Sequence, residues 1–242
     1  MLRKETVMIK KELISKSPLR ILEQSIHGGI GKGNIGVISA CKGVGKTACL
    51  VHIATDQLFQ GKHVIHVSFC SDTKHIVSWY EDIFNEIARR NNLTGAMDVH
   101  DDIIRNRVIM NFKQDSTHIG KIKKNIRLFL ENGNFSVDTL VIDGYNFNKA
   151  SPEDFKDFRR LAQENNLELW FSASLKEDAA KAAKQGIPDV LLPFMEDMAI
   201  LIFLEPRGGF IRLTLIKDHD AILNSDLHLK LDPQILLIAE EN

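Results

Sequence analysis

The stretch ACKGVGKT, residues 40–47, decides how the rest of this chain is read. It closes a short apolar run, NIGVISA (34–40), whose pattern predicts a strand. It also opens GKTACLVHIATDQLFQ, whose composition and length predict a helix stopped by Gly61. A strand that turns through glycines straight into a helix leaves backbone N–H groups unpaired at one point. Gly43 and Gly45 let the main chain bend tightly and bring those amides close to a ligand. The helix dipole adds roughly half a positive charge at the same end. An anion is what such a turn is shaped to hold.

The spacing is that of a Walker A loop with Ala40 in place of the first glycine. Lys42, Gly43, Val44, Gly45, Lys46, Thr47 and Ala48 are the expected ligand-binding segment. The amides of Val44, Gly45, Lys46 and Thr47 point at phosphate oxygens, and Lys46 reaches the β- and γ-phosphates. The Thr47 hydroxyl is a candidate Mg²⁺ ligand. The second candidate metal residue is Asp143, which ends DTLVIDG (138–144), a run apolar enough to be buried on both sheet faces. In an open parallel sheet the strand carboxyl ends gather at one crevice. That places Asp143 and the 40–47 loop on one edge. The competing reading of Asp143 is a carboxylate that turns the chain at Gly144.

Around these two motifs apolar runs alternate with amphipathic stretches. HVIHVSF (63–69), RVIMNF (107–112) and ELWFSAS (168–174) read as further strands. Helices are expected over 74–91, over 119–133 and over 151–166. The third of these carries Ser151 as N-cap and Pro152 at its first position. Its inward stripe is Phe155, Phe158, Leu161 and Ala162. This alternation predicts an α/β fold with a mostly parallel sheet flanked by helices. MAILIFLEP and FIRLTLIKD, joined at RGG, predict a C-terminal antiparallel hairpin, and DLHLKLD a further strand. KEDAAKAAKQGIPDVLLPF, between the two regimes, is expected as a partly helical or mobile loop.

Bulk properties restrict the function classes. The 242 residues are 44% apolar and 26% charged, with a net charge of -1. That balance gives no electrostatic footprint for nucleic acid or membrane. Nucleic acid remains an open alternative, because a basic channel can sit inside a neutral total. Three cysteines without a CxxC pair, and no apolar core in the N-terminal segment, fit a cytoplasmic protein. The histidines are dispersed without zinc-binding spacing.

The order GVISACKGVGKTACLVHIA, GKHVIHVSF, TLVIDG and a fifth strand ending in a small polar residue resembles the RecA-like P-loop ATPases, in particular their KaiC/DnaB-type branch. The resemblance covers roughly residues 18–220. It implies an N-terminal extension over 1–17, then a RecA-like ATP-binding domain over 18–242 that binds ATP and Mg²⁺. It also implies a homo-oligomeric ring or filament with ATP held between neighbours. The sequence departs from that family in three places. Cys70 stands where an acid is usual after the second strand, with Asp72 two residues on. Ser174 stands where the DnaB-type branch has a glutamine. Lys217, Asp218 and His219 stand where relatives carry Lys-x-Arg across a subunit boundary. Lys46, Asp143 and Lys217 are thus the candidate catalytic residues. The expectation is ATP binding with slow hydrolysis. A DNA-associated motor or recombination ATPase, and a non-hydrolysing scaffold or switch, are the alternatives.

Two further features have competing readings. Tyr145 and Phe147 follow Asp143 either as stacking platforms for single-stranded nucleic acid or as packing under the next helix. KIKKNIR is a basic run on an amphipathic helix, for which a solvated face is the expectation.

Overall fold

The computed structural model describes residues 11–69, 74–90, 92, 96–112, 119–132, 136–176, 186–234 and 237–240. The strands are β1 (Ile35–Cys41), β2 (Val64–Ser68), β3 (Arg107–Asn111), β4 (Thr139–Asp143), β5 (Glu168–Leu175), β6 (Ile200–Arg207), β7 (Phe210–Asp218), β8 (Ala221–Leu231) and β9 (Ile238–Glu240). The helices are α1 (Leu19–Ser25), α2 (Lys46–Phe59), α3 (Lys74–Arg90), α4 (Ala96–Ile104), α5 (Ile119–Asn132) and α6 (Pro152–Glu164). A 3-10 helix spans Asp189–Asp197. Among the described residues no helix is long and apolar enough to cross a membrane.

All the strands join one sheet in the order β3-β2-β4-β5-β1-β6-β7-β8-β9. From β3 to β6 every neighbouring pair is parallel, and from β6 to β9 every pair is antiparallel. The first strand of the hairpin, β6, is therefore also a member of the parallel sheet. The expected α/β architecture with its C-terminal hairpin is present, and β9 extends it further than the sequence reading did.

Side chains alternate between the two faces, as strand geometry demands. On one face Ile38, Ala40 and Val141 pack with α2, α3 and the inner side of β8. On the other, Val37, Ile142 and Phe171 pack with α5, α6 and the 3-10 helix. Both cores bear on β1 and β4, which explains why those strands are continuously apolar. Leu13, in the segment expected as an extension, is fully buried in the first core.

Helix α2 is buried on nearly all sides. Between the sheet and the covering helices α3 and α4 it has no solvent face, which explains the apolar composition of KTACLVHIATDQLF. Some of its buried polar groups bond to neighbouring elements, while His52 Nε2, Asp56 Oδ1 and Gln57 Oε1 have no hydrogen-bond partner among the described residues. Arg20 of α1 pairs with Asp56, and the Ile238 amide donates to His52 Nδ1 at 3.0 Å.

At α6 the local expectations hold. Ser151 Oγ accepts from the Asp154 amide, Pro152 opens the helix, and Phe155, Phe158, Leu161 and Ala162 are buried. Tyr145 and Phe147 are 5% and 4% exposed, and their rings pack with Phe155 and Phe171. Their packing reading stands; the stacking-platform reading does not fit rings in the core. Phe155 sits at the centre of this aromatic cluster, so Phe155→Ala is expected to cost about 3–5 kcal/mol, read as a shifted urea midpoint.

Candidate functional site

The loop between β1 and α2 takes the backbone shape its glycines allow. Gly43 and Gly45 have φ of 85° and 106°. Gly45 is the N-cap of α2, so the first helical amides face outward from this bend. A Cβ on Gly45 would lie 2.4 Å from Leu231 Cδ2, because β8 passes directly behind the loop. Glycine is therefore required there twice, once for φ and once for space. Lys42 and Gly43 are exposed, and Val44 packs against the core. The Ala48 side chain is fully buried, which leaves only its backbone for any ligand.

Lys46 is 7% exposed, and its Nζ donates to the carbonyl oxygens of Ala40 at 3.1 Å and Cys41 at 2.8 Å. Burial pulls its pKa below the usual lysine range, while the Asp143 charge opposes that shift. The ammonium is thus held at the foot of the loop by two neutral acceptors.

Thr47 and Asp143 lie 96 residues apart in sequence, yet the Thr47 hydroxyl donates to Asp143 Oδ2 at 2.9 Å. The parallel register makes this contact. β4 ends level with Ser68 of β2, one strand on from β5, and the loop leaves the same sheet edge from β1. Asp143 is 3% exposed. Among the described residues its carboxylate meets two hydroxyls, Thr47 on Oδ2 and Ser172 on Oδ1 at 2.7 Å, and no cationic side chain pairs with it. A buried carboxylate satisfied only by neutral donors keeps most of its desolvation cost. The donor chemistry, a carboxylate beside a hydroxyl, is oxygen-only and suits Mg²⁺, which takes one or two protein ligands with phosphates and water. No cluster of three or more His, Cys, Asp or Glu that could hold a metal occurs among the described residues.

Ser172, on β5, escaped the sequence reading, which stopped at Ser174 two residues on. The signal was present in ELWFSAS, where a serine falls on an interior, fully covered position. Ser174 itself is exposed and level with Ala40 at the loop edge. His66 on β2 is another unforeseen neighbour. It is fully buried, and Nδ1 lies 3.0 Å from the Tyr80 hydroxyl. Arg107 lies 4.3 Å over the Tyr80 ring.

The structure does not bring Lys217 to this loop. It pairs with Leu201, which is level with Val37 near the opposite edge of the sheet. That is about 13 Å along the strand from Cys41. Its Nζ donates to the carbonyl oxygens of Met195 and, at 2.6 Å, Met198. His219 lies 2.7 Å from Asp218, whose other oxygen lies 2.6 Å from His27. Cys70 and Asp72 lie outside the described residues, as do 177–185 of the expected loop. In the basic helix, Lys123 is tied to Asp157, and Lys124 and Arg127 are exposed, as a solvated face requires.

No protein-family model and no curated protein matches this chain.

Burial pushes His52 down to about 3 and His66 down to about 4, the latter against the pull of Asp143. Unfolded, both titrate near 6.5, so the unfolded chain binds more protons below that pH. Stability is therefore expected to fall on acidification, by about 1.4 kcal/mol per pH unit for each histidine between roughly pH 6 and pH 4. Urea unfolding across that range is expected to show the slope, and His66→Gln to reduce it by one histidine's share.

Proposed function

We propose that this chain is an ATP-binding protein of the RecA/KaiC-like type, a slow Mg²⁺-dependent ATPase that works in a homo-oligomer. The observation that carries this reading is the Thr47–Asp143 hydrogen bond. It joins a glycine-bent helix N-terminus to a buried carboxylate on the same sheet edge. Support for the RecA-like comparison comes from the parallel sheet continuing through β6 into an antiparallel end.

Each residue has a definable task. The amides of the loop donate to the phosphate oxygens, and the positive φ at Gly43 and Gly45 keeps them turned outward. Lys46 leaves the Ala40 and Cys41 carbonyls for the phosphate oxygens, where the anion favours its charged form. Thr47 and Asp143 hold the metal directly or through water. Bound Mg²⁺ would neutralise charge on the β- and γ-phosphates.

The groups that accelerate hydrolysis are weaker. Ser174 is short and uncharged. Lys217 is remote from its own loop and bound to two carbonyls, so service to a neighbouring subunit requires breaking both bonds. An arginine finger is worth about a thousand-fold or more in rate, and no arginine follows Lys217 here. The same observation favours the second reading, a nucleotide-dependent scaffold that assembles without turnover. A DNA-associated motor gains nothing from the turn after Asp143, because Tyr145 and Phe147 are buried.

Calorimetry with ATP and Mg²⁺ is expected to give heat with the wild type and none with Lys46→Ala. Phosphate release, measured together with particle size, is expected to stay below about one per second with or without single-stranded DNA. No heat from the wild type sinks the nucleotide reading. Strong stimulation by DNA transfers it to the motor class, and assembly with ATP but no phosphate release to the scaffold class.

A further inference from the structure

We propose that Ser172 is a positioning residue for the metal-binding carboxylate, an inference that rests on the nucleotide-site reading above. Ser172 is 1% exposed, inside a strand whose neighbours Trp170, Phe171 and Ala173 are core residues. A hydroxyl at such a position costs free energy unless it is bonded. Here both of its capacities are used. The Gly144 amide donates to Ser172 Oγ at 2.7 Å, and Ser172 Oγ lies 2.7 Å from Asp143 Oδ1. An amide N–H cannot accept, so the single hydroxyl proton has only the carboxylate to go to. The direction of the bond is therefore fixed without seeing the hydrogen.

The consequence is a carboxylate gripped at both oxygens by hydroxyls from two different elements. Ser172 of β5 holds Oδ1, and Thr47 of α2 holds Oδ2. Rotation of the carboxylate would break both bonds at once. Gly144 completes the arrangement. Its φ of 88° turns the chain at the end of β4, and a Cβ there would lie 3.3 Å from Phe69 Cβ. The amide, the serine and the aspartate thus form one relay that presents the remaining lone pairs of Asp143 in a set direction. Partners of this kind around a metal ligand typically change metal affinity about 10- to 100-fold when removed.

The test compares wild type, Ser172→Ala and Ser172→Cys. Cysteine nearly matches serine in size but is a poor donor. Mn²⁺ binding in the presence of a nonhydrolysable ATP analogue is read by electron paramagnetic resonance, and ATP affinity is read separately in EDTA. Both variants are expected to bind Mn²⁺ about 10- to 100-fold more weakly and to keep wild-type affinity for ATP in EDTA. Equal losses of Mn²⁺ and metal-free ATP would show a merely structural serine and overturn the inference. So would wild-type Mn²⁺ affinity in Ser172→Ala, or a cysteine variant that behaves like the wild type. A wild type that binds neither ATP nor Mn²⁺ would instead overturn the nucleotide-site reading, and this inference with it.

Discussion

A carboxylate buried at the end of β4, held by two hydroxyls, is the constraint around which this molecule is arranged. Asp143 must be hydrogen-bonded because it is 3% exposed, and the two groups that reach it come from β5 and from the start of α2. Those two bonds tie the end of β4 to β5 and to the start of α2. They also pin the glycine-rich loop to the central strands. A hydrophobic residue in place of Asp143 would suit the core better, since burying a charge is costly even with two hydroxyl donors and the Lys46 charge acting on it. Its presence is intelligible if charge arrives from outside.

The sheet was legible because its inner parallel strands are covered on both faces and so read as apolar runs. VIDG and GVISA could hardly be anything else in this context. Helix α6 was legible from its cap, its proline and its phenylalanine spacing, all local signals. The loop glycines carried their conformation in their identity. These are properties that short stretches of chain decide by themselves.

What stayed hidden depends on contacts between distant segments. Ser172 in ELWFSAS looks like any strand serine until β5 is placed beside β4. His66 looks like a polar interruption of a strand until Tyr80 is folded over it. Lys217 illustrates the reverse case. The motif drew attention to it, while the antiparallel register set it at the far edge of the sheet and gave its ammonium to carbonyls. α1 and α4 are short, so their periodicity is weak, and β9 has three residues that only β8 makes a strand.

Leu231 stands against Gly45, and β9 hangs from the middle of α2 through His52. The polypeptide's final strands are thus the backrest of a bend formed almost two hundred positions earlier. Shortening the chain ahead of Leu231 would strip that support and leave the first turn of α2 wetted from behind. The carboxyl-terminal strands shape this bend as much as its glycines do.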